Sequence, residues 1–155
     1  MAAAYFVDSS ALVKRYVQET GTSWVRGITR RRPSPVIYIA RITAVEVPCA
    51  IARRRKGRTL TPRRASSILR RFGRHLDGRY PVAEVTIPLL DDAMRLGVKY
   101  ALRAYDAVQL AVAIEVNRFH QAGGSGPVTL VSADQALNTA AAAEGLAVDD
   151  PNAHP

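Results

Sequence analysis

Short apolar runs alternate with helical patterns along the whole chain, and this alternation limits the possible fold more than any other feature. The runs with β character are YFV (5–7), VIYIA (36–40), VAEVTI (82–87), VTLVS (128–132) and LAV (146–148). The helical patterns between them cover 9–17, 22–29, 44–56, 62–76, 88–102, 104–119 and 135–144. Strands that are apolar along nearly their whole length are typical of a parallel sheet that is buried on both faces. The alternation therefore predicts an α/β fold with a central, mostly parallel sheet of four or five short strands, flanked by helices on both faces.

The length and composition of the chain fit one globular domain. Its 155 residues, of which 48% are hydrophobic and 23% charged, are enough to bury a core without disulfides. No apolar run approaches the roughly 20 residues that span a bilayer, and the start MAAAYFVDSS lacks the basic region of a signal peptide. We expect one domain at 1–148 with a short C-terminal tail at 149–155, in a cytoplasmic protein that has no membrane partner.

The cysteine and histidine content argues against several kinds of site. Cys49 is the only cysteine, which excludes an internal disulfide and a cysteine-based zinc cluster. We expect Cys49 to be a small buried hydrophobe. The three histidines are not arranged as a base for a thiol or as a metal site, so the chemistry has to come from other side chains.

Four carboxylates stand at the ends of apolar runs. Asp8 ends the run YFVD and Asp134 follows VTLVSA, while Glu46 and Asp106 fall in the first turns of two predicted helices. Ligands of parallel α/β sheets gather at the carboxyl ends of the strands, and helices that follow strands begin at that same edge. All four acids are therefore expected at one edge of the sheet.

Each acid also has a purely structural interpretation. Asp8 is a good N-cap for the helix at Ser9 or Ser10, and T-A-V-E (43–46) reads as a capping box. Asp106 suits the positive end of a helix, and Asp134 suits an Asx turn or a cap. Taken singly, each of these interpretations is at least as probable as a functional role.

Taken together, the four acids favour a metal site. Carboxylates crowded at one edge repel each other, and a hard divalent cation such as Mg²⁺ or Mn²⁺ relieves that repulsion through oxygen ligands. We predict that Asp8, Glu46, Asp106 and Asp134 are metal ligands and catalytic residues. The hydroxyl groups expected to orient ligands or water beside them belong to Ser9, Thr43 and Ser132.

Positive charge is concentrated in one stretch of the chain. Residues 26–79 hold 16 Lys and Arg against two acids, a net charge of +14, whereas the rest holds six against eleven, a net of −5, which gives the total of +9. This asymmetry indicates a polyanionic or acidic partner, and the alternative is a solvated arginine-rich helix face. We predict that the phosphates of a polyanion such as RNA are bound by Arg53, Arg54, Arg55, Lys56, Arg58, Arg63 and Arg64.

Four segments resemble the PIN-domain family, and more specifically the VapC-type toxins of type II toxin–antitoxin pairs. They are YFVDSSALVKRY (5–16), ITAVEVPCAIARRR (42–55), YDAVQLAVA (105–113) and LVSADQAL (130–137). The resemblance implies a PIN-like domain and an endoribonuclease that hydrolyses RNA phosphodiester bonds with a metal-activated water. Asp8, Glu46 and Asp106 would form the core of the site, and Asp134 would match a more variable fourth acid. A homodimer and a small VapB-like antitoxin are also implied.

One position departs from the family pattern. Pro48 lies two residues after Glu46, inside a predicted helix. If Thr43 caps that helix, Pro48 lies beyond the first turn, where it should bend the helix or move its start. The direction of the Glu46 side chain depends on this point.

Three other functions compete with the nuclease. A non-catalytic RNA-binding module of the same fold would tolerate the loss of acids, yet all four positions are filled here. A phosphoacceptor domain of the response-regulator type needs an acidic pair after its first strand, whereas Asp8 is followed by Ser9 and Ser10. The basic stretch could also bind an acidic antitoxin tail, which is compatible with RNA binding at the same surface.

Overall fold

The computed structural model describes residues 3–30 and 35–155. The strands are β1 (Ala4–Val7), β2 (Val36–Ala40), β3 (Val82–Ala83), β4 (Thr129–Val131) and β5 (Ala147–Asp149). The α-helices are α1 (Ser9–Leu12), α2 (Thr22–Arg30), α3 (Thr43–Lys56), α4 (Pro62–Gly78), α5 (Ile87–Tyr100), α6 (Ala104–Ala122) and α7 (Gln135–Ala143). Two 3₁₀ turns cover Val13–Arg15 and Pro151–Ala153. No helix within the described residues is both long and apolar enough to cross a membrane.

The five strands form one parallel sheet in the order β3-β2-β1-β4-β5, which confirms the predicted fold class. Side chains that alternate along the central strands enter two separate cores. Phe6 packs in one core with residues of α5, α6 and α7, whereas Val7 packs in the other with residues of α1, α3 and α4. Helices therefore cover both faces, and β1 lies at the centre of the sheet, where its carboxyl end is enclosed.

The predicted third strand is shorter than its sequence suggested. The run VAEVTI forms only the two-residue strand β3, because a helix start interrupts it. Thr86 caps α5 by accepting a hydrogen bond from the Leu89 N–H at 3.4 Å, and Pro88 occupies the first turn. The helix start set by Thr86 and Pro88 outweighs the β propensity of the residues around it.

The helix that carries Glu46 does not begin with a capping box. α3 has Ile42 at its N-cap, and Thr43 is already its first residue. The Thr43 hydroxyl accepts a hydrogen bond from Gln109 instead of capping the helix. Pro48 lies inside α3, which continues through it to Lys56. The prediction for Cys49 was wrong, because this residue lies on the exposed face of α3.

The C-terminal residues pack against α2. The His154 ring stacks on Trp24 with ring centroids 4.3 Å apart, and Pro151 is buried beside Gly21. Gly21 has a φ of +83°, and an added Cβ would lie 2.2 Å from the Pro151 carbonyl oxygen. Only glycine fits this position, which holds the end of the chain against the start of α2.

Candidate active site

All four predicted acids lie at the carboxyl edge of the sheet. Asp8 follows β1, and Asp134 follows β4 as the N-cap of α7. Glu46 and Asp106 lie in the first turns of α3 and α6. The register of β1 and β4 pairs Val7 with Val131, so the residues that follow these strands are neighbours.

Asp8 is the buried centre of this group, with only 2% of its surface exposed. Its carboxylate accepts hydrogen bonds from the Ser10 hydroxyl at 2.8 Å, the Ala11 N–H at 3.0 Å and the Ser132 hydroxyl at 3.1 Å. The contact with Ala11 makes Asp8 the N-cap of α1 as well. The capping role and a role in the site are therefore compatible.

Ser132 links Asp8 to Asp134. Its hydroxyl donates to Asp8 and accepts from the Asp134 N–H at 3.0 Å, and the side chain is fully buried. Ser10 acts in the same way, since it donates to Asp8 and accepts from the Ala133 N–H at 2.9 Å. Both hydroxyl groups have their protons directed at Asp8 and their lone pairs at the backbone after β4.

Burial raises the pKa of Asp8 from 3.8 to about 7. The three hydrogen bonds to the carboxylate lower the pKa, but they offset only part of the desolvation, and the negative charge of Glu46 raises it further. At neutral pH the protein alone therefore stabilises the Asp8 carboxylate incompletely. A bound cation would supply the missing stabilisation.

Glu46 is held by neighbours that include one the sequence analysis missed. Burial is the main cause that raises its pKa, and the charge of Asp106 adds to it. Hydrogen bonds from Gln109 and Ser9 act in the opposite direction. The Gln109 amide nitrogen lies 2.6 Å from the Glu46 carboxylate and 3.0 Å from the Thr43 hydroxyl oxygen. Gln109 thus fixes the direction of Glu46, which the position of Pro48 had left open.

Gln109 carries a signal that the sequence analysis did not use. It is a polar residue inside an apolar helix, three positions after Asp106, and so lies on the same face of α6. The side chain is almost completely buried, and its Oε1 atom has no hydrogen-bond partner within the described chain. A buried amide of this kind is costly unless it serves a specific contact.

Arg103 joins the other two acids and was also missed as a site residue. Its guanidinium donates to Asp106 at 3.0 Å through Nε and to Asp134 at 2.9 Å through Nη2. The Arg103 side chain is 80% exposed, so these ion pairs are weak and exchange readily with solvent ions. Arg103 therefore offsets the charge of Asp106 and Asp134 without burying them.

The four acids share one edge but do not yet form a coordination sphere. Among residues 3–30 and 35–155, no three Asp, Glu, His or Cys side chains are placed so that they could hold a metal ion together. The donor chemistry nevertheless fits Mg²⁺ or Mn²⁺, because carboxylate and hydroxyl oxygens are the ligands that hard cations prefer. The raised pKa values of Asp8 and Glu46, caused chiefly by burial, mean that the metal-free protein disfavours the charged form of both carboxylates.

Most of the predicted RNA-binding residues lie away from the acids, although the charge of Arg53 is near enough to lower the pKa of Glu46. Those on the last turn of α3 are separated from Glu46 by roughly 10–15 Å of helix, and the remainder lie in the following turn and at the start of α4. Arg54 is engaged by Glu19 and donates to the Ala50 carbonyl at 3.3 Å. The exposed members are Arg53, Arg55, Lys56, Arg58, Arg63 and Arg64.

Comparisons with known proteins agree with this architecture. A family model described as PIN domain matches residues 5–142. PAE2754 from Pyrobaculum aerophilum has a similar structure, with a TM-score of 0.61, 22% identity and coverage of 99% of this chain and 93% of that chain. VapC20 from Mycobacterium tuberculosis, a toxin that cleaves the sarcin–ricin loop, has a TM-score of 0.64 at 18% identity, covering 98% of this chain and 100% of that chain. A chain of VapBC2 from Rickettsia felis, bound to promoter DNA, has a TM-score of 0.62 at 12% identity, covering 95% and 98%. No curated protein sequence matches the chain significantly.

Replacing Asp8 by Asn should change how the stability of the metal-free protein depends on pH. Because its pKa is raised to about 7, Asp8 binds a proton more tightly in the folded state than in the unfolded chain. This stabilising contribution is fully present below pH 3.8 and is lost as the pH rises through about 7. In urea denaturation with EDTA, the parent protein should lose on the order of 2 kcal/mol relative to Asp8→Asn between about pH 5.5 and about pH 8.

Asp77→Asn is the matched control for this measurement, because Asp77 is an exposed acid of α4. It should show the pH dependence of the parent. If Asp8→Asn and the parent lose stability in parallel across this range, the raised pKa of Asp8 is wrong.

Proposed function

The chain belongs to the PIN-domain family, and from this premise we propose that it is a metal-dependent endoribonuclease that acts in the cytoplasm as the toxin of a toxin–antitoxin pair. The observation that carries the proposal is the meeting of four acids at one sheet edge, among them the buried Asp8, whose pKa is raised to about 7. The cleavage of the sarcin–ricin loop by VapC20, a protein of the same fold, supports RNA as the substrate.

Each side chain of the site has a defined part in this proposal. Asp8, Glu46 and Asp106 would hold Mg²⁺ or Mn²⁺, and Asp134 would contribute a fourth carboxylate. The bound cation would make water nucleophilic near neutral pH and would offset negative charge on the scissile phosphate. Ser10 and Ser132 fix the Asp8 carboxylate, and Gln109 fixes Glu46.

Arg103 has a second part in the same proposal. While it bridges Asp106 and Asp134, it occupies carboxylate oxygens that a cation would use. Its high exposure allows the side chain to leave when a cation binds. Once released, the guanidinium lies at the edge of the site, where it can bind a phosphate oxygen of the substrate.

Cleavage of RNA by matched variants tests the nuclease directly. Purified parent protein, Asp8→Asn and Asp77→Asn would be incubated with a mixed RNA pool in Mg²⁺, in Mn²⁺ and in EDTA. We expect discrete fragments with 5′-phosphate ends from the parent and Asp77→Asn, only when metal is present. Asp8→Asn should be at least about 100-fold slower, because even groups that merely orient metal ligands contribute 10–100-fold.

One observation favours a non-catalytic RNA-binding module as the second candidate. In the described part of the chain the acids are not arranged to hold a metal together, and Arg103 occupies two of them. Intact RNA with the parent protein, together with RNA binding that Asp8→Asn does not alter, would favour this module over the nuclease.

We further propose a homodimer that is formed by α5, together with a small VapB-like antitoxin as the inhibitor. VapBC2, which has the same fold, supports the antitoxin. The support for the dimer is a stripe of exposed apolar side chains along α5, at the spacing of one helix face. The stripe consists of Ile87, Leu90, Met94 and Val98, which are 76%, 43%, 69% and 86% exposed.

A charge in the α5 stripe should separate the dimer. Val98→Glu places a carboxylate on this apolar face, so sedimentation should give the 16.9 kDa monomer, whereas the parent protein gives twice that mass. Leu69→Glu, at an exposed apolar position of α4, is the control and should remain a dimer. If the parent protein sediments as a monomer at tens of micromolar, the proposed dimer is wrong.

A further inference from the structure

A second cluster of charge includes Arg15, at the far end of the segment that begins after Asp8. A cavity of about 390 Å³ is lined by Arg15, Arg26, Arg30, Arg71 and His75, which we call the arginine cradle. Arg15 ends the first 3₁₀ turn, and the other members come from α2 and α4. None of the described residues that line this cavity is acidic.

Helix geometry brings these basic side chains together. Arg26 and Arg30 are four residues apart on α2, and Arg71 and His75 are four residues apart on α4, so each pair shares one helix face. Arg26 and Arg30 therefore place like charges four residues apart, which destabilises a helix. None of the four arginines forms a salt bridge within the described chain. Among the described residues, no carboxylate forms an ion pair that would balance their charge.

Neutral contacts hold several of these guanidinium groups in place. Arg15 donates to the Thr29 hydroxyl, and the Arg26 Nε donates to the Arg15 carbonyl at 3.0 Å. The Arg71 guanidinium lies 5.3 Å from the centroid of the buried Tyr16 ring. Such contacts fix the direction of each guanidinium group and leave its positive charge available to bind an anion. A preorganised anion site has these two properties.

His75 adds a neutral polar group to the cradle. Its Nδ1 lies 2.8 Å from the Tyr16 hydroxyl, which also contacts the Tyr80 hydroxyl at 2.9 Å. The pKa of His75 is lowered to about 4, chiefly by burial. The charges that lower it further belong to Arg15, Arg79, Arg71 and Arg74. The ring is therefore neutral near pH 7 and lies in the positive potential of the cradle and neighbouring arginines.

We propose that the arginine cradle binds a backbone phosphate of the RNA substrate, at a site separate from the catalytic acids. This inference rests on the proposed function. Arginine forks match phosphate oxygens, and the exposed positions of Arg30 and Arg71 open the cavity to solvent. Tyr16 is buried and offers no surface on which a base could stack. The cradle therefore positions the RNA without reading its sequence.

The cradle is close enough to the acids to act on the same strand. Asp8 precedes, and Arg15 ends, a single segment made of α1 and the 3₁₀ turn, which spans roughly 10 Å by helical rise. RNA that is held at the acids would reach the cradle within a short oligonucleotide. The cradle should therefore contribute to substrate affinity and to the placement of the cleaved bond.

RNA binding by matched double variants tests this proposal. Binding of a labelled mixed-sequence RNA would be followed by fluorescence anisotropy in EDTA, for the parent, Arg30→Gln/Arg71→Gln and Lys99→Gln/Arg118→Gln. Both variants lose two exposed positive charges, and the second pair lies on α5 and α6, outside the cradle. We expect the cradle variant to bind about 10-fold more weakly, with its salt dependence reduced by about 0.7 in log–log slope, the value for one lost phosphate contact on a single strand. The control variant should stay within about twofold of the parent.

The ring signals of His75 give a second readout in the parent protein. Bound RNA should raise the pKa of His75 from about 4 toward its ordinary value, because phosphate offsets the surrounding arginines. The ring signals of His120 and His154 serve as internal references. A rise with inorganic phosphate but not with RNA would assign the cradle to free phosphate and would overturn the RNA proposal.

The outcomes separate the cradle from the nuclease. Equal RNA affinity of the cradle variant and the parent, or an equal defect in both double variants, would overturn the cradle even if the parent cleaves RNA. A selective binding defect would support the cradle even if no cleavage is found, because binding is measured without metal.

Discussion

The hydroxyl group of Ser132 joins the two strand ends on which the candidate site depends. It donates to Asp8 and accepts from the backbone of Asp134, so one buried atom fixes the distance between the ends of β1 and β4. The parallel register that pairs Val7 with Val131 makes this contact possible. Loss of this hydroxyl would remove one donor to Asp8 and the acceptor of the Asp134 N–H. Because Ser132 is fully buried, water could not replace these contacts.

Opposite charges are concentrated in two places along the segment that starts at Asp8. At its start, the buried Asp8 carboxylate has no cationic partner within the described residues, and the exposed Arg103 pairs only with Asp106 and Asp134. At its end, four arginines surround a cavity that has no acid among its described lining residues. On the proposed account, one RNA strand with its divalent cation complements both.

The fold and the placement of the acids could be predicted from the sequence because both depend on local patterns. Apolar runs identify the strands, and Asp8 and Asp134 follow two of them directly. The partners of these acids could not be found in the same way. Gln109 meets Glu46 across a separation of 63 residues, and only the polar interruption of α6 hints at it. The bridge from Arg103 to Asp134 depends on how α6 and α7 pack, which no local spacing encodes.

Errors in the sequence analysis also have physical causes. Thr43 satisfies every local rule for a helix cap, yet its hydroxyl bonds to Gln109 on another helix, because tertiary packing outweighs a local capping preference. The excess positive charge of residues 26–79 can be read from the sequence. Its meeting with Arg15 in the arginine cradle cannot, because the cradle is built from a 3₁₀ turn and two helices that come together only in the fold.

Binding of Mn²⁺ tests the central claim, that these carboxylates form one divalent-cation site. Titration of the parent protein, followed by the relaxation of water protons, should show saturable binding. Asp8→Asn/Asp106→Asn should abolish it, whereas Asp77→Asn/Asp92→Asn, which removes two acids outside the site, should leave it unchanged. Saturable binding that survives in the first double variant, or no saturable binding by the parent at millimolar Mn²⁺, would contradict the account.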